Sequence, residues 1–200
     1  MTTQALELLV IRHGKTAWNQ EKRLQGRRDI PLSAEGLEQL AGKRPPQALA
    51  PSRWYVSPLL RAQQTAEALG IDDFETAPAL IEMNWGDWEG ERLPELRQRL
   101  GPTMQEQENK GLDLQPPSGE SPRQVRTRIL EWLQTTEFDT ESLGLVTHKG
   151  VIRALLSEAL SWEMLEDCPV KIRWDRALVF RYSAEGIELR DYNIPLDSSL

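Results

Sequence analysis

The chain has two histidines, His13 and His148, and each stands where an apolar run has just ended: LELLVI precedes Arg12-His13-Gly14, and LGLVT precedes His148-Lys149-Gly150. An imidazole that titrates near neutrality can attack as a nucleophile, relay a proton or ligate a metal. A lone loop histidine is usually structural, but the repeated placement brings both rings to one edge of a sheet. Arg61 follows a third apolar run, residues 54–56, and falls in the first turn of an expected helix, where backbone N–H groups favour anions. Arginine never loses its charge and forks naturally onto oxyanions. Together with Arg12, the set suits chemistry on an anionic ligand. Lys15, Lys22, Arg23, Arg27 and Arg28 crowd the stretch after His13, and clustering alone reads as a solvated basic loop.

Positioning these side chains requires strands that end together. Residues 6–11 are continuously apolar apart from Glu7, as expected of a strand covered on both faces. Residues 54–56 and 144–147 read likewise, and residues 177–182 with 187–190 form a closing hairpin around Glu185-Gly186. Between them, Ser33 caps a helix over 34–43, and Ser57 with Pro58 reads as a cap and first-turn proline for a helix to about Leu69. Ser121, Pro122 and Gln124 form a capping box that opens a long helix with Val125, Ile129, Trp132 and Leu133 on one face. Val151, Ile152, Leu155, Leu156 and Ala159 repeat that spacing after Gly150. Strands alternating with helices predict an α/β fold, a three-layer α/β/α sandwich with a mostly parallel central sheet whose ligands sit at strand C-terminal ends. One domain over residues 1–200 is expected, with an excursion over the site at about residues 82–120.

Composition narrows the function further. A net charge of -7 argues against a nucleic-acid or membrane-surface partner, since both demand a basic face. The single cysteine, Cys168, cannot close an internal disulfide and suits a reducing compartment, so a cytoplasmic location is expected. The apolar run at residues 6–11 is too short for a membrane span and lacks the pattern of a signal peptide.

Five ordered segments carry a resemblance: RHGKTAWN at residues 12–19, LQGRRDIPLSAEG at 24–36, SPLLRAQQTAE at 57–67, EMNWGDWEG at 82–90 and VTHKGVIR at 146–153. In order and spacing they resemble the histidine phosphatase superfamily, also called phosphoglycerate mutase-like, from Leu6 to about Leu160. The resemblance implies that His13 is the nucleophile, attacking phosphorus through one ring nitrogen while the other donates to a carbonyl. Arg12 and Arg61 would lower the pKa of His13 and hold phosphoryl oxygens, with His148 and Asn19 completing the cradle. Glu82 matches the acid that protonates the leaving alkoxide and then activates water. No local spacing singles Glu82 out among the other acids. Gln25, Gly26 and Lys149 are expected to bind substrate, and no metal or other cofactor is implied, because arginine and histidine supply the positive charge.

Two positions depart from the family pattern. Lys15 stands where glutamate is frequent and Lys149 where a small residue is common; each is read either as drift on an exposed loop or as a contact for a second anionic group. Trp85 and Trp88 either wall the leaving-group site or pack the excursion onto the core.

The implied activity is a phosphomonoester hydrolase acting on a small phosphorylated metabolite, similar to α-ribazole phosphatases and broad-specificity acid phosphatases. A cofactor-dependent phosphoglycerate mutase is the rival within the family. Mutases carry a longer cover and tail that exclude water, so chain length favours the phosphatase. A non-catalytic phosphate-binding module and an iron site built from His13, His148 and Glu82 are the rivals outside it. The arginines weigh against the iron site, since they would repel a cation. Monomer and homodimer both remain open.

Overall fold

A computed structural model describes residues 5–198. The chain runs through β1 (Leu6–Arg12), α1 (Ala17–Gln20), α2 (Ala34–Leu40), β2 (Lys43–Arg44), β3 (Arg53–Val56), α3 (Leu60–Ala68), β4 (Glu75–Thr76), α4 (Leu93–Leu100) and α5 (Pro102–Glu108). It continues through α6 (Pro122–Thr135), β5 (Ser142–Thr147), α7 (Lys149–Ala159), β6 (Ala177–Ser183), β7 (Gly186–Ile194) and β8 (Asp197–Ser198). Six strands form a sheet in the order β4-β3-β5-β1-β6-β7, and β2 pairs with β8 at the side. Only β6 opposes the other strands of the main sheet, so the sheet is mostly parallel, as expected.

Alternation along β1 explains the layers. Leu6, Leu8 and Val10 face one core with Val125, Ile129 and Leu133 of α6 and the apolar face of α7. Leu9 and Ile11 face the other core with Leu40 of α2 and Ala62 and Ala66 of α3. Strand side chains project alternately, so a run apolar at nearly every position is what two covered faces require. The fold is an α/β/α sandwich.

Register places the chemistry. Arg12 lies opposite Thr147 in the β1–β5 ladder, and Val56 lies opposite Val146 in β3–β5. The next residues continue the ladder: His13 N–H donates to the Thr147 carbonyl at 2.9 Å, and Ser57 N–H to that of Val146 at 2.9 Å. Three strands therefore end in line, delivering Arg12-His13, Ser57 and His148 to one edge.

Several elements differ from expectation. The helix after β3 starts at Leu60 with Leu59 at its cap, not at Pro58 under a Ser57 cap; the Ser57 hydroxyl accepts the Leu59 N–H and also meets the His148 ring. α2 stops at Leu40 because Gly42 turns through a left-handed conformation and Lys43 enters β2. α7 begins at Lys149, before Gly150, with His148 at the cap position. The excursion holds two helices, α4 and α5, which pack Leu96 and Met104 on Trp88 as a small separate cluster. Among the described residues, no helix is long and apolar enough to cross a membrane.

Candidate active site

His13 is nearly buried, and its Nδ1 lies 2.7 Å from the Gly14 carbonyl. A carbonyl only accepts, so Nδ1 carries the proton and Nε2 keeps its lone pair. The His148 ring stands with its centroid 5.0 Å from that of His13. Its Nε2 is 2.6 Å from Ser57 Oγ, which itself accepts the Leu59 N–H. With the Ser57 hydroxyl donating to Nε2, Nδ1 of His148 is the ring's N–H donor.

Arg61 is fully buried on α3. Its Nη1 donates to the Arg28 carbonyl and its Nη2 to that of Gly26, each at 2.8 Å. Gly26 holds a φ of +54°, and a Cβ there would lie 1.9 Å from Glu89 Oε1, so only glycine presents that carbonyl to Arg61. The Arg61 backbone carbonyl accepts from the Thr65 hydroxyl, which in turn accepts the Gly14 N–H, tying α3 to the loop after β1.

Among the described residues, four buried side-chain nitrogens have no hydrogen-bond partner: Arg12 Nε, Arg61 Nε, His148 Nδ1 and Arg176 Nε. Three of the four belong to the set that the sequence brought together. Leaving a buried donor unsatisfied costs about 1–3 kcal/mol each, more for a charged group. An oxyanion is the acceptor that would satisfy them.

Electrostatics follow from burial. His13 is pushed well below the ordinary histidine value by desolvation, reinforced by the charges of Arg12 and Arg61. His148 is lowered for the same reasons, desolvation first and then Arg61, His13 and Arg12. Both rings are neutral at pH 7. Desolvation also raises the Glu82 carboxyl above its ordinary value, against the opposing pull of the Met83 N–H, Arg61, the Gly150 N–H and Arg12.

Glu82 is held from both sides. Its Oε1 accepts from Met83 N–H at 2.8 Å and Gly150 N–H at 3.0 Å. A Cβ on Gly150 would lie 2.2 Å from that oxygen, so glycine is required at the start of α7 for the carboxyl to reach the backbone. The segment carrying Glu82 is clamped by Arg128 of α6, which donates to the carbonyls of Ala79 and Ile81 and pairs with Glu120. Glu120 also accepts the Asn84 N–H at 3.2 Å.

Two cavities, of about 590 and 740 Å³, share Arg12, His13 and Asn19 in their walls. Gln25, Gly26, Glu82 and Lys149 line the larger one, so every residue expected to bind substrate reaches it. Arg61 and His148 line neither; they lie fully buried, His148 beside the His13 ring. Asn19 Oδ1 accepts the Thr16 N–H, and Gln25 Oε1 accepts the Thr16 hydroxyl at 2.8 Å, which fixes both side chains. Lys15 is paired with Glu35 at 2.8 Å on the exposed rim. Both tryptophans pack the excursion, Trp88 within its small cluster and Trp85 against that cluster and the main core, and Trp85 also lines the larger cavity.

Sequence reasoning missed Ser57 as the partner of His148, Arg128 and Glu120 as the clamp, and Trp174. The guanidinium of Arg12 lies 5.6 Å and the ammonium of Lys149 5.0 Å from the Trp174 ring centroid. Trp174 precedes β6 in a turn without periodicity, so only its place just before a strand could have drawn attention.

Comparison with known proteins agrees with this geometry. A 2,3-bisphosphoglycerate-dependent phosphoglycerate mutase of Bartonella henselae is 30% identical over 184 residues, covering 82% of this chain and 89% of that protein. With that much of the mutase covered, chain length does not separate the two, contrary to the expectation from the family. The structure of Bacillus stearothermophilus YhfR superposes with a TM-score of 0.80 at 27% identity, over 94% of this chain and 97% of that one. Mycobacterial glucosyl-3-phosphoglycerate phosphatase superposes with a TM-score of 0.72 at 25% identity, over 95% and 99%. The sequence profile of the histidine phosphatase superfamily (branch 1) matches residues 8–195, and the chain belongs to that superfamily.

Proposed function

We propose that the chain is a phosphomonoester hydrolase that passes a phosphoryl group from a small phosphorylated metabolite to Nε2 of His13 and then to water. Nε2 attacks phosphorus while the ester P–O bond breaks, and Nδ1–H, held by the Gly14 carbonyl, stabilises the charge that the ring gains. Arg12, Arg61 and His148 offer their unpartnered N–H groups to the oxygens of the transferring group, so electrostatic preorganisation supplies most of the rate. No metal is called for, because these groups supply the charge that magnesium supplies in other phosphoryl-transfer sites. Glu82, in which burial favours the protonated carboxyl, gives its proton to the departing alkoxide. As carboxylate it then takes a proton from water, which attacks phosphorus and frees His13 with its lone pair.

The observation that carries hydrolysis over mutase chemistry is the space before His13. A three-carbon phosphate ester occupies a small part of two cavities of about 590 and 740 Å³ that share His13 in their walls, which leaves room for water beside the nucleophile. A mutase must keep water from the phosphoenzyme. The single free Cys168 supports a cytoplasmic setting, and the ligand class is a small molecule.

The test is a panel of phosphorylated metabolites assayed in chelator, with 3-phosphoglycerate and α-ribazole phosphate included, measuring inorganic phosphate and isomer formation together. Phosphate release is expected. Isomerised ester without phosphate would establish the mutase, and binding without any turnover would establish a non-catalytic module.

A further inference from the structure

The first turns of α7 carry two cations that the phosphoryl cradle does not use. Lys149 and Arg153 are four residues apart, so they lie on one helix face, and both line the larger cavity together with His13 and Glu82. Like charges at that spacing oppose each other, yet among the described residues neither forms an ion pair; Glu82 acts on Lys149, and Asp167 on Arg153, only at longer range. Each is braced by an indole instead. Lys149 stands 5.0 Å from the Trp174 ring and Arg153 4.6 Å from that of Trp162. Trp162 is itself pinned, buried and donating Nε1–H to the Glu166 carbonyl at 3.0 Å. Cation–π bracing fixes the side chains without neutralising them. The Lys149 ammonium is held below its ordinary value first by desolvation and then by the Arg153 and Arg12 charges, with Glu82 opposing the shift.

Building on the phosphatase reading, we propose that Lys149 and Arg153 form a subsite for a second anionic group on the leaving portion of the substrate, a carboxylate or a second phosphate. The Lys149 ammonium and the Arg12 guanidinium lie against the same Trp174 ring, so the subsite adjoins the phosphoryl cradle. The positive end of α7 adds to the attraction. The substrate class is thus a phosphate ester with at least two anionic groups near one another.

Three probes with one carbon skeleton test this: glycerol 3-phosphate, 3-phosphoglycerate and glycerol 1,3-bisphosphate. The wild-type protein is expected to prefer the two doubly anionic esters in kcat/KM. Lys149→Gln and Arg153→Gln are each expected to lose about tenfold more on those two than on glycerol 3-phosphate, mainly through KM, with Lys149→Arg recovering much of the loss. The carboxylate and bisphosphate arms show which anion the subsite prefers. The same affinities measured by calorimetry on His13→Ala protein separate the two readings: a charge preference that Lys149→Gln removes, in a protein whose parent hydrolyses nothing, supports the subsite and refutes the phosphatase. No preference between singly and doubly anionic probes, or equal losses on all three, overturns the subsite.

Discussion

Glu82 owes its role to its surroundings. Burial raises its pKa while two backbone N–H groups and two arginines resist the rise, so the carboxyl is poised to give a proton and later to take one. A general acid matters in proportion to the basicity of the leaving group and contributes about 10²–10⁴-fold where the alkoxide is strongly basic. Glu82→Gln should therefore cripple turnover of alkyl phosphates while sparing the first step with nitrophenyl phosphate. Slow water attack should then let phosphoenzyme accumulate and give a burst. Rapid-quench assays on both esters test this, and equal first-step losses would move the role to Asp87 or Glu89. The histidines and arginines were legible as a group because each follows an apolar run; Glu82 follows none and was reached only through the family pattern.

Strand ends and helix starts form the site, and their junctions were only partly legible. β1, β5, the β6–β7 hairpin and α6 announced themselves through apolar runs or a capping box. α4 and α5 bury only Leu96 and Met104, respectively, which leaves no period to detect, although Pro94 and Pro102 in their first turns were a usable signal. Ser57 was misread as the cap, and its hydroxyl meets a ring 91 residues away, a partnership that local patterns cannot reveal. The β5–α7 junction makes a test at this scale. Gly150→Ala would place a Cβ 2.2 Å from Glu82 Oε1 and should displace the carboxyl. Misplacement of a reacting group by about 1 Å can cost on the order of 10²-fold, so alkyl phosphates should lose far more turnover than nitrophenyl phosphate. Equal losses on both would mean that the substitution disturbs α7 and not the acid.

Across the whole molecule, two apolar layers enclose a sheet whose open end holds buried ionisable groups, and this couples stability to pH. The folded pKa values of His13 and His148 are depressed, so the native state binds fewer protons than the unfolded chain between those values and 6.5. Their contribution is present above pH 6.5 and is lost as pH falls toward the folded values. Glu82 is raised, so its contribution is present below 4.5 and is lost as pH rises through its folded value, which opposes the histidines in the shared window. With two groups against one, unfolding free energy should fall as pH drops below 6.5 in phosphate-free buffer. His13→Asn should flatten that slope by up to about 1.4 kcal/mol per pH unit, as read from urea denaturation. An unchanged slope would show that His13 titrates normally in the fold.

The central claim is a covalent phosphohistidine on His13. Mixing the protein with ³²P-labelled ester, quenching in alkali on the millisecond scale and mapping the labelled peptide tests it directly. Label on the peptide containing His13, formed and lost at rates compatible with turnover and absent from an inactive His13→Ala variant, is the expected result. Hydrolysis proceeding near its normal rate in His13→Ala, or turnover without labelled protein at any time point, would contradict it.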